Sequence, residues 1–462
     1  MAPYFGTVRY KITEHRINLR LPTEACERVD RLRKEGQGGL SFNAWVELAI
    51  KEKVERDEYV RKSPTAGNEQ QEGRTFYEFF AGAGMARLGL GPLWRCLRSN
   101  DFDAMKARVY RENWDGAPEL LVDDIKKVTT DQLPGNPDLV WASFPCQDVS
   151  LAGNSLGIGK FDDQKPTRSG MFWAFWALIK GLRDERRPPT VLVLENVHGV
   201  LTSNGGADFC AIATALTSVG YKIGALTLDA KLFLPQSRPR VFIVCVLDSL
   251  FVDPTLVSRD ALDRLHPGAI QTAFHKLPEE VKKSWVWWFL PEPPARRAKF
   301  LDAIEHVPTG VQWHTQKETR DLLGMMSPLN RKKVEAAVKL GSRTVGAIYK
   351  RTRIEGGRKV QRAEVRFDDV AGCLRTPAGG SSRQLILLVD RGTVRTRLLS
   401  PREAARLMGL PDTFKLPERY NDAYHVAGDG VAVPVVSYLA EHILLPIVDS
   451  NRPQSILPLR AA

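Results

Sequence analysis

Asp138-Leu139-Val140-Trp141-Ala142-Ser143-Phe144-Pro145-Cys146-Gln147 is the stretch on which the fold turns. Its first five residues are largely apolar and predict a buried strand. The sequence behind it, 148–170, is polar and glycine-bearing, with neither helical nor strand period. Cys146 therefore falls where a strand ends and a loop begins. In an open α/β sheet, ligands and chemistry collect outside the carboxyl ends of the strands. Pro145 fixes its own φ and restrains Phe144 before it, so the thiol is aimed. A lone cysteine is more often a small core hydrophobe. The stretch alone leaves nucleophile and core thiol both open, and its neighbours have to decide.

Outward toward the N-terminus, Thr75-Phe76-Tyr77-Glu78-Phe79-Phe80 reads as a strand, followed by the glycine turn Ala81-Gly82-Ala83-Gly84-Met85 and a helix from Ala86. Such glycines let backbone approach a ligand, and a helix start offers free N–H groups. The same turn suits a dinucleotide site or no ligand at all. A second strand near 94–97 leads to Ser99-Asn100-Asp101-Phe102-Asp103. A carboxylate about twenty residues past a glycine turn is placed to accept from ribose hydroxyls. Asp123-Asp124-Ile125 ends a further short apolar stretch. Toward the C-terminus, Val191-Leu192-Val193-Leu194 has the composition of a buried parallel strand and delivers Glu195-Asn196-Val197 at its end. A carboxylate there suits proton chemistry; the alternative is a surface acid beside a turn. Gln236-Ser237-Arg238-Pro239-Arg240 runs into another apolar strand, 241–246. Its two arginines face one side and suit an anion or a carbonyl oxygen, or else form a solvated basic edge.

Composition bounds the partners. A chain of 462 residues, 43% hydrophobic and 26% charged, can bury a core, and its length suits about three domains. A net charge of +12 and a pI near 9.4 favour an anionic partner, most simply nucleic acid. The six cysteines are scattered without a C-x-x-C pair, which argues against a zinc ribbon or disulfide framework and for reduced thiols in a cytosol. The N-terminus lacks a signal-peptide pattern, and no apolar run is read as long enough to span a membrane.

The N-terminal part is organised differently. Arg16-Ile17-Asn18-Leu19-Arg20-Leu21 alternates strictly, as a strand with one buried face does. Thr23 and Ser41 are placed to cap two helices around the turn Gly36-Gln37-Gly38-Gly39. So small a unit buries its apolar faces only as a dimer. It resembles the ribbon-helix-helix family of DNA-binding domains, which implies that Arg16, Asn18 and Arg20 point outward to read the major groove. A helical appendage or oligomerisation arm is the alternative. Residues 63–74 are a polar linker.

Taken in order, Phe80-Ala81-Gly82-Ala83-Gly84, Phe144-Pro145-Cys146-Gln147, Glu195-Asn196-Val197 and Gln236-Ser237-Arg238-Pro239-Arg240 resemble the DNA cytosine-5 methyltransferase family. Arg375-Thr376-Pro377, Ser400-Pro401-Arg402-Glu403-Ala404-Ala405-Arg406-Leu407-Met408-Gly409 and Gly428-Asp429-Gly430-Val431-Ala432-Val433-Pro434 are similar to its later motifs. The resemblance covers about 75–250 and 370–446. It implies an S-adenosylmethionine-dependent methyltransferase fold, Rossmann-like with a mostly parallel sheet, plus a smaller target-recognition domain.

The resemblance also implies roles. Cys146 would attack C6 of the target cytosine as thiolate, Glu195 would bond N3 and the exocyclic amine, and Arg240 would hold O2 with Arg238 beside it. Phe80, Gly82 and Gly84 would lie along the methionine moiety of S-adenosylmethionine. Asp101 would take the ribose hydroxyls, Phe102 would stack on adenine and Asp124 would accept from its amine. Ile125, Pro145 and Val431 would complete that pocket. S-adenosylhomocysteine is the implied product, and no metal is required because the sulfonium is already activated. One departure stands out: the family's last motif usually reads Gly-Asn, where this chain has Gly428-Asp429.

The expected organisation is 1–62 as a ribbon-helix-helix unit, 63–74 linker, 75–250 catalytic domain, 251–423 target-recognition domain, 424–446 a helix returning to the catalytic domain, and 447–462 tail. Within the recognition region, 331–362 carries eleven Lys and Arg against two Glu, and its glycines and β-branched residues predict loops and short strands over a DNA groove. Lys350, Arg351 and Arg353 are its DNA-contact candidates. The expected partner is double-stranded DNA, with a homodimer through the leader, no membrane, and a bacterial cytoplasmic, nucleoid-associated location. Two rivals are a tRNA cytosine-5 methyltransferase and a DNA-binding repressor with an inactive methyltransferase body.

Overall fold

Seven strands form one sheet in the order β3-β2-β1-β4-β5-β7-β6 in the computed structural model, which describes residues 73–145, 171–375 and 383–452. The leader with Arg16, Asn18 and Arg20 lies outside the described residues, and so do Cys146 and the segment behind it. Strand β1 (Arg74–Phe79) pairs in parallel with β2 (Trp94–Asp101) and β4 (Leu139–Ala142). Strand β3 (Leu120–Val122) extends one side and β5 (Val191–Asn196) the other, also in parallel. The strand order reverses between β1 and β4, the place where open α/β sheets bind ligands. Strand β7 (Pro239–Leu247) runs antiparallel between β5 and β6 (Tyr221–Asp229). Its start, with Arg240, is thereby brought to the edge where β4 and β5 end.

The alternation of side chains fills both faces. Phe76, Trp141, Val191 and Val193 enter one core, while Tyr77, Phe79, Val140, Ala142, Leu192 and Leu194 enter the other. Helix α1 (Met85–Leu90) covers the first face. Helix α2 (Ala104–Asn113) starts at Asp103, whose carboxylate accepts from Met105 N and Lys106 N. The second face is covered by α3 (Met171–Asp184) and α4 (Ala207–Ser218) through Phe172, Phe175, Phe209 and Ile212. Trp288 is fully buried and donates Nε1 to Val244 O at 3.1 Å, so that tryptophan is core.

A second sheet, ordered β11-β10-β8-β9, is antiparallel throughout: β8 (Thr344–Glu355), β9 (Arg358–Arg366), β10 (Leu385–Asp390) and β11 (Thr393–Leu398). Helices α5 (Gln316–Gly324) and α6 (Pro328–Lys339) back it through Leu322, Val334 and Ala337. The expectation of loops and short strands over 331–362 is corrected here. Ser327 caps α6, Pro328 sits in its first turn, and the apolar spacing of Val334 and Ala337 continues it; two long strands follow.

The chain then returns to the large sheet. After α7 (Pro401–Leu407) and α8 (Tyr420–Asp429), α9 (Val433–Leu439) packs on α1. A Cβ on Gly89 would stand 2.4 Å from Val436 Cβ, and Ser437 Oγ donates to Gly89 O at 2.8 Å. The helical run Tyr420–Ser450 is long and apolar enough to cross a membrane by length and composition, contrary to the sequence reading. Its apolar window is 61% buried within the protein, with Val436, Leu439 and Ile443 in the core, so burial inside the fold accounts for the composition.

Candidate active site

Two strand ends, those of β4 and β5, and the start of β7 converge. Glu195 and Asn196 close β5, opposite Phe242 and Val241 of β7. Arg240 Nε meets Glu195 Oε1 at 3.0 Å, both side chains largely buried. Asn196 donates Nδ2 to Phe144 O at 3.1 Å, and its Oδ1 accepts from Val197 N at 2.8 Å. That bond ties the end of β5 to the residue preceding Pro145. Phe144 is buried against Phe172, ring centroids 5.9 Å apart. Pro145 is the last described residue before Cys146.

Arg238 is placed differently from Arg240. It is 3% exposed, donating Nη1 to Leu374 O at 3.1 Å and Nη2 to Gly428 O at 2.8 Å and Gly430 O at 2.7 Å. Its guanidinium thus clamps the C-terminal motif to the site, a task for which a five-donor fork is suited. Sequence reasoning also missed Cys373. Its Sγ lies 3.5 Å from Arg238 Nη1 and 4.0 Å from Arg240. Burial pushes this thiol's pKa up, but Arg238, Arg240 and Arg375 outweigh it and bring the pKa below the usual value. The fully buried Gln236 holds Leu407 O and Leu374 N together at 2.6 and 3.2 Å. No local signal distinguished Cys373, because it meets the two arginines across more than 130 residues of sequence.

A second cluster surrounds the glycine turn. Phe80 (φ 57°), Gly82 (φ 57°) and Gly84 (φ 78°) are all left-handed, bending backbone around the end of β1. Open space lies beside Gly82, where an added Cβ would meet nothing within 4 Å. Asp101, 7% exposed, accepts from Gly82 N at 2.8 Å and Asp103 N at 2.9 Å. Each of its oxygens keeps a lone pair for a further donor. Phe102 is 71% exposed, an aromatic face with room for a stacking partner. Asp124 caps a short turn by accepting from Lys126 N, and Ile125 behind it is buried. Val431 is buried nearby in sequence to Gly430, whose added Cβ would collide with Met85 Sδ at 2.1 Å. Exposed ring, buried carboxylate and open glycine turn together fit a nucleoside carrying a polar arm. Among the described residues, no group of three or more His, Cys, Asp or Glu could hold a metal ion.

In the second sheet, Lys350 and Arg351 project to opposite faces. Arg351 Nε reaches Glu364 Oε2 at 3.5 Å, Arg353 Nε reaches Glu364 Oε1 at 3.0 Å, and Arg362 pairs with Glu355. The outer halves of β8 and β9 are exposed.

A mostly parallel seven-stranded sheet with one antiparallel insertion, and a glycine turn and buried Asp101 beside its reversal point, is consistent with the methyltransferase fold. Residues 74–445 match the family described as C-5 cytosine-specific DNA methylase, and the chain belongs to it: it is a DNA (cytosine-5)-methyltransferase. It is 26% identical over 378 residues to Type II methyltransferase M.HhaI of Haemophilus parahaemolyticus, covering 81% of this chain and 96% of that one. With Type II methyltransferase M.HpaII of Haemophilus parainfluenzae it shares 26% over 409 residues, 84% of this chain and 94% of the other. The solved Entamoeba histolytica methyltransferase EhMeth superposes with a TM-score of 0.49 at 16% identity, covering 81% of this chain and 98% of that one. S-adenosylmethionine is the methyl donor that this family implies.

Proposed function

We propose that the chain methylates C5 of a flipped-out cytosine within a specific duplex DNA sequence, as the modification enzyme of a restriction-modification or related DNA-defence system. The observation that carries this reading is the Glu195–Arg240 pair at 3.0 Å beside the anchored Phe144-Pro145 end of β4. S-adenosylmethionine, the donor this family implies, would supply the activated methyl group, with S-adenosylhomocysteine as the product. Cys146 adds as thiolate to C6, which raises electron density at C5. Glu195 holds N3 and the exocyclic amine, offsetting charge that builds on the ring. Arg240 holds O2 and Arg238 keeps the C-terminal motif in place. C5 would then bond the methyl carbon as its bond to sulfur breaks, and a solvent water acting as base would take the C5 proton, so that the C5–H electron pair re-forms the ring double bond and expels the Cys146 thiolate. Phe80, Gly82 and Gly84 would lie along the donor's methionine moiety and Asp101, Phe102 and Asp124 at its adenosine, with Ile125, Pro145 and Val431 completing that pocket. A base inside a duplex cannot present C6 to a thiol, so flipping is required, at about a few kcal/mol.

The test is direct. Bisulfite sequencing of DNA from expressing cells reads base and site together. Cys146→Ser should abolish transfer while DNA binding persists, and DNA containing 5-fluorocytosine should trap the wild type covalently. Normal turnover by Cys146→Ser would sink the mechanism.

For the leader, we infer a ribbon-helix-helix dimer that binds an operator near its own promoter and limits expression. A chain beginning at Arg74 should then still methylate while losing operator binding and self-association. Retained self-association in that chain would place the dimer contact elsewhere.

A further inference from the structure

The segment 371–374 is laid against 235–238. Ser237 N donates to Ala371 O at 2.9 Å, and Ala371 N donates to Pro235 O at 2.8 Å. The buried Gln236 side chain accepts from Leu374 N at 3.2 Å. This backbone pairing carries the thiol of Cys373 to a place between two arginines that only Pro239 separates in sequence. Its Sγ stands 3.5 Å from Arg238 Nη1 and 4.0 Å from both Arg240 Nη1 and Arg240 Nη2. The S–H donates back to Leu374 O at 3.6 Å, which leaves the sulfur lone pairs for the guanidiniums.

Arg240 is therefore held at opposite ends. Its Nε meets Glu195 Oε1 at 3.0 Å. Its terminal Nη1 and Nη2 lie equally far from Cys373, and Nη1 also donates to Pro239 O at 2.9 Å. Glu195 is the end that changes during a turnover. A cytosine in the site takes the carboxyl oxygens for N3 and the exocyclic amine, and the pair with Arg240 is then shared or given up. The contacts at the far end do not depend on that event. Each terminal nitrogen carries two protons, so a contact to sulfur leaves donors for a carbonyl oxygen.

We propose that Cys373 is the acceptor that aims the Arg240 guanidinium at O2 of the target cytosine when Glu195 turns to the base. This rests on the reading that Arg240 holds O2. Cys373 acts through Arg240 and is a positioning residue. Its own place is fixed by Gln236 and by the pairing of Ala371 with Pro235 and Ser237, so the aim is built into the backbone that joins the two domains' motifs.

The experiment uses the full chain with S-adenosylhomocysteine bound, so that no variant has to turn over. Affinity is measured for a duplex built on the methylated site that bisulfite sequencing identifies. The same duplex carrying 2-thiocytosine at the target, with a poor acceptor in place of O2, is the comparison. Any difference in duplex stability between the two is common to every variant and cancels. The wild type should prefer cytosine, and Arg240→Ala should collapse that preference. Cys373→Ala and Cys373→Val should each lower it by about fivefold, the scale of one hydrogen bond. Cys373→Ser keeps an acceptor and should keep most of the preference. A thermal midpoint and the S-adenosylhomocysteine affinity of each variant check folding. A residue that only filled space beside Arg238 would give the opposite order, with Cys373→Val like the wild type. An unchanged ratio in Cys373→Ala and Cys373→Val, with Arg240→Ala still collapsing it, overturns the positioning role alone. A loss in Cys373→Ser as large as in Cys373→Val overturns it too. An unchanged ratio in Arg240→Ala overturns the O2 assignment and the inference with it.

Discussion

The side-chain amide of Asn196 donates to the carbonyl oxygen of Phe144 across 3.1 Å, joining the end of β5 to the residue before Pro145. Both residues are buried. In Asn196→Ala the Phe144 carbonyl loses this partner, a cost of about 1–3 kcal/mol. The single-turnover methylation rate should fall roughly ten- to hundredfold, with S-adenosylhomocysteine affinity unchanged. An unaltered rate would mean that this bond does not position the nucleophile's strand end.

Glu195→Gln keeps the shape of the side chain while removing the charge that meets Arg240. Single-turnover methylation should drop by a factor on the order of 10² or more. Cofactor binding, measured by calorimetry, should stay the same. A rate equal to wild type would show that the carboxylate takes no part.

Glu78 lies buried at the end of β1, and burial pushes its pKa from 4.5 up to about 8 against the pull of Arg87. Its folded pKa is above its unfolded one, so the folded state holds the proton more tightly. Stability from this group is full below the unfolded value and is lost as pH rises through the folded one. Glu78→Gln should flatten the fall in thermal midpoint between pH 4.5 and 8 and raise the midpoint at the upper end. Parallel curves for the two proteins would count against this account.

Arg351 and Arg353 both lean on Glu364 across the β8–β9 ribbon. Glu364→Ala should release them toward phosphates, tightening non-specific DNA binding and steepening its salt dependence. Arg353→Ala should weaken binding uniformly across sequences and lower the salt slope by about one. Exchanging 331–362 for a relative's segment should change the sequence methylated, read by bisulfite sequencing. Unchanged specificity would place recognition outside that segment.

Much was legible in the sequence because local chemistry announces it. Buried parallel strands are written as continuous apolar runs such as Val191 to Leu194, and the glycine turn and the strand-end residues Glu195 and Asp101 follow from adjacency along the chain. The leader and Cys146 lie outside the described residues, and the loops and short strands expected over 331–362 are instead helix α6 and the two long strands β8 and β9. What no stretch could state was direction and distance. The reversal of β7 alone brings Arg240 to Glu195, since a parallel strand would have carried it to the opposite edge of the sheet. Arg238 and Arg240 read as equivalent along the sequence, yet one clamps Gly428 and Gly430 while the other meets the carboxylate. The Lys106–Asp429 pair spans most of the chain and exists only because α9 returns to pack on α1. Sequence encodes which residues suit a strand end; only the closed fold, by burying apolar faces against each other, decides which of them meet.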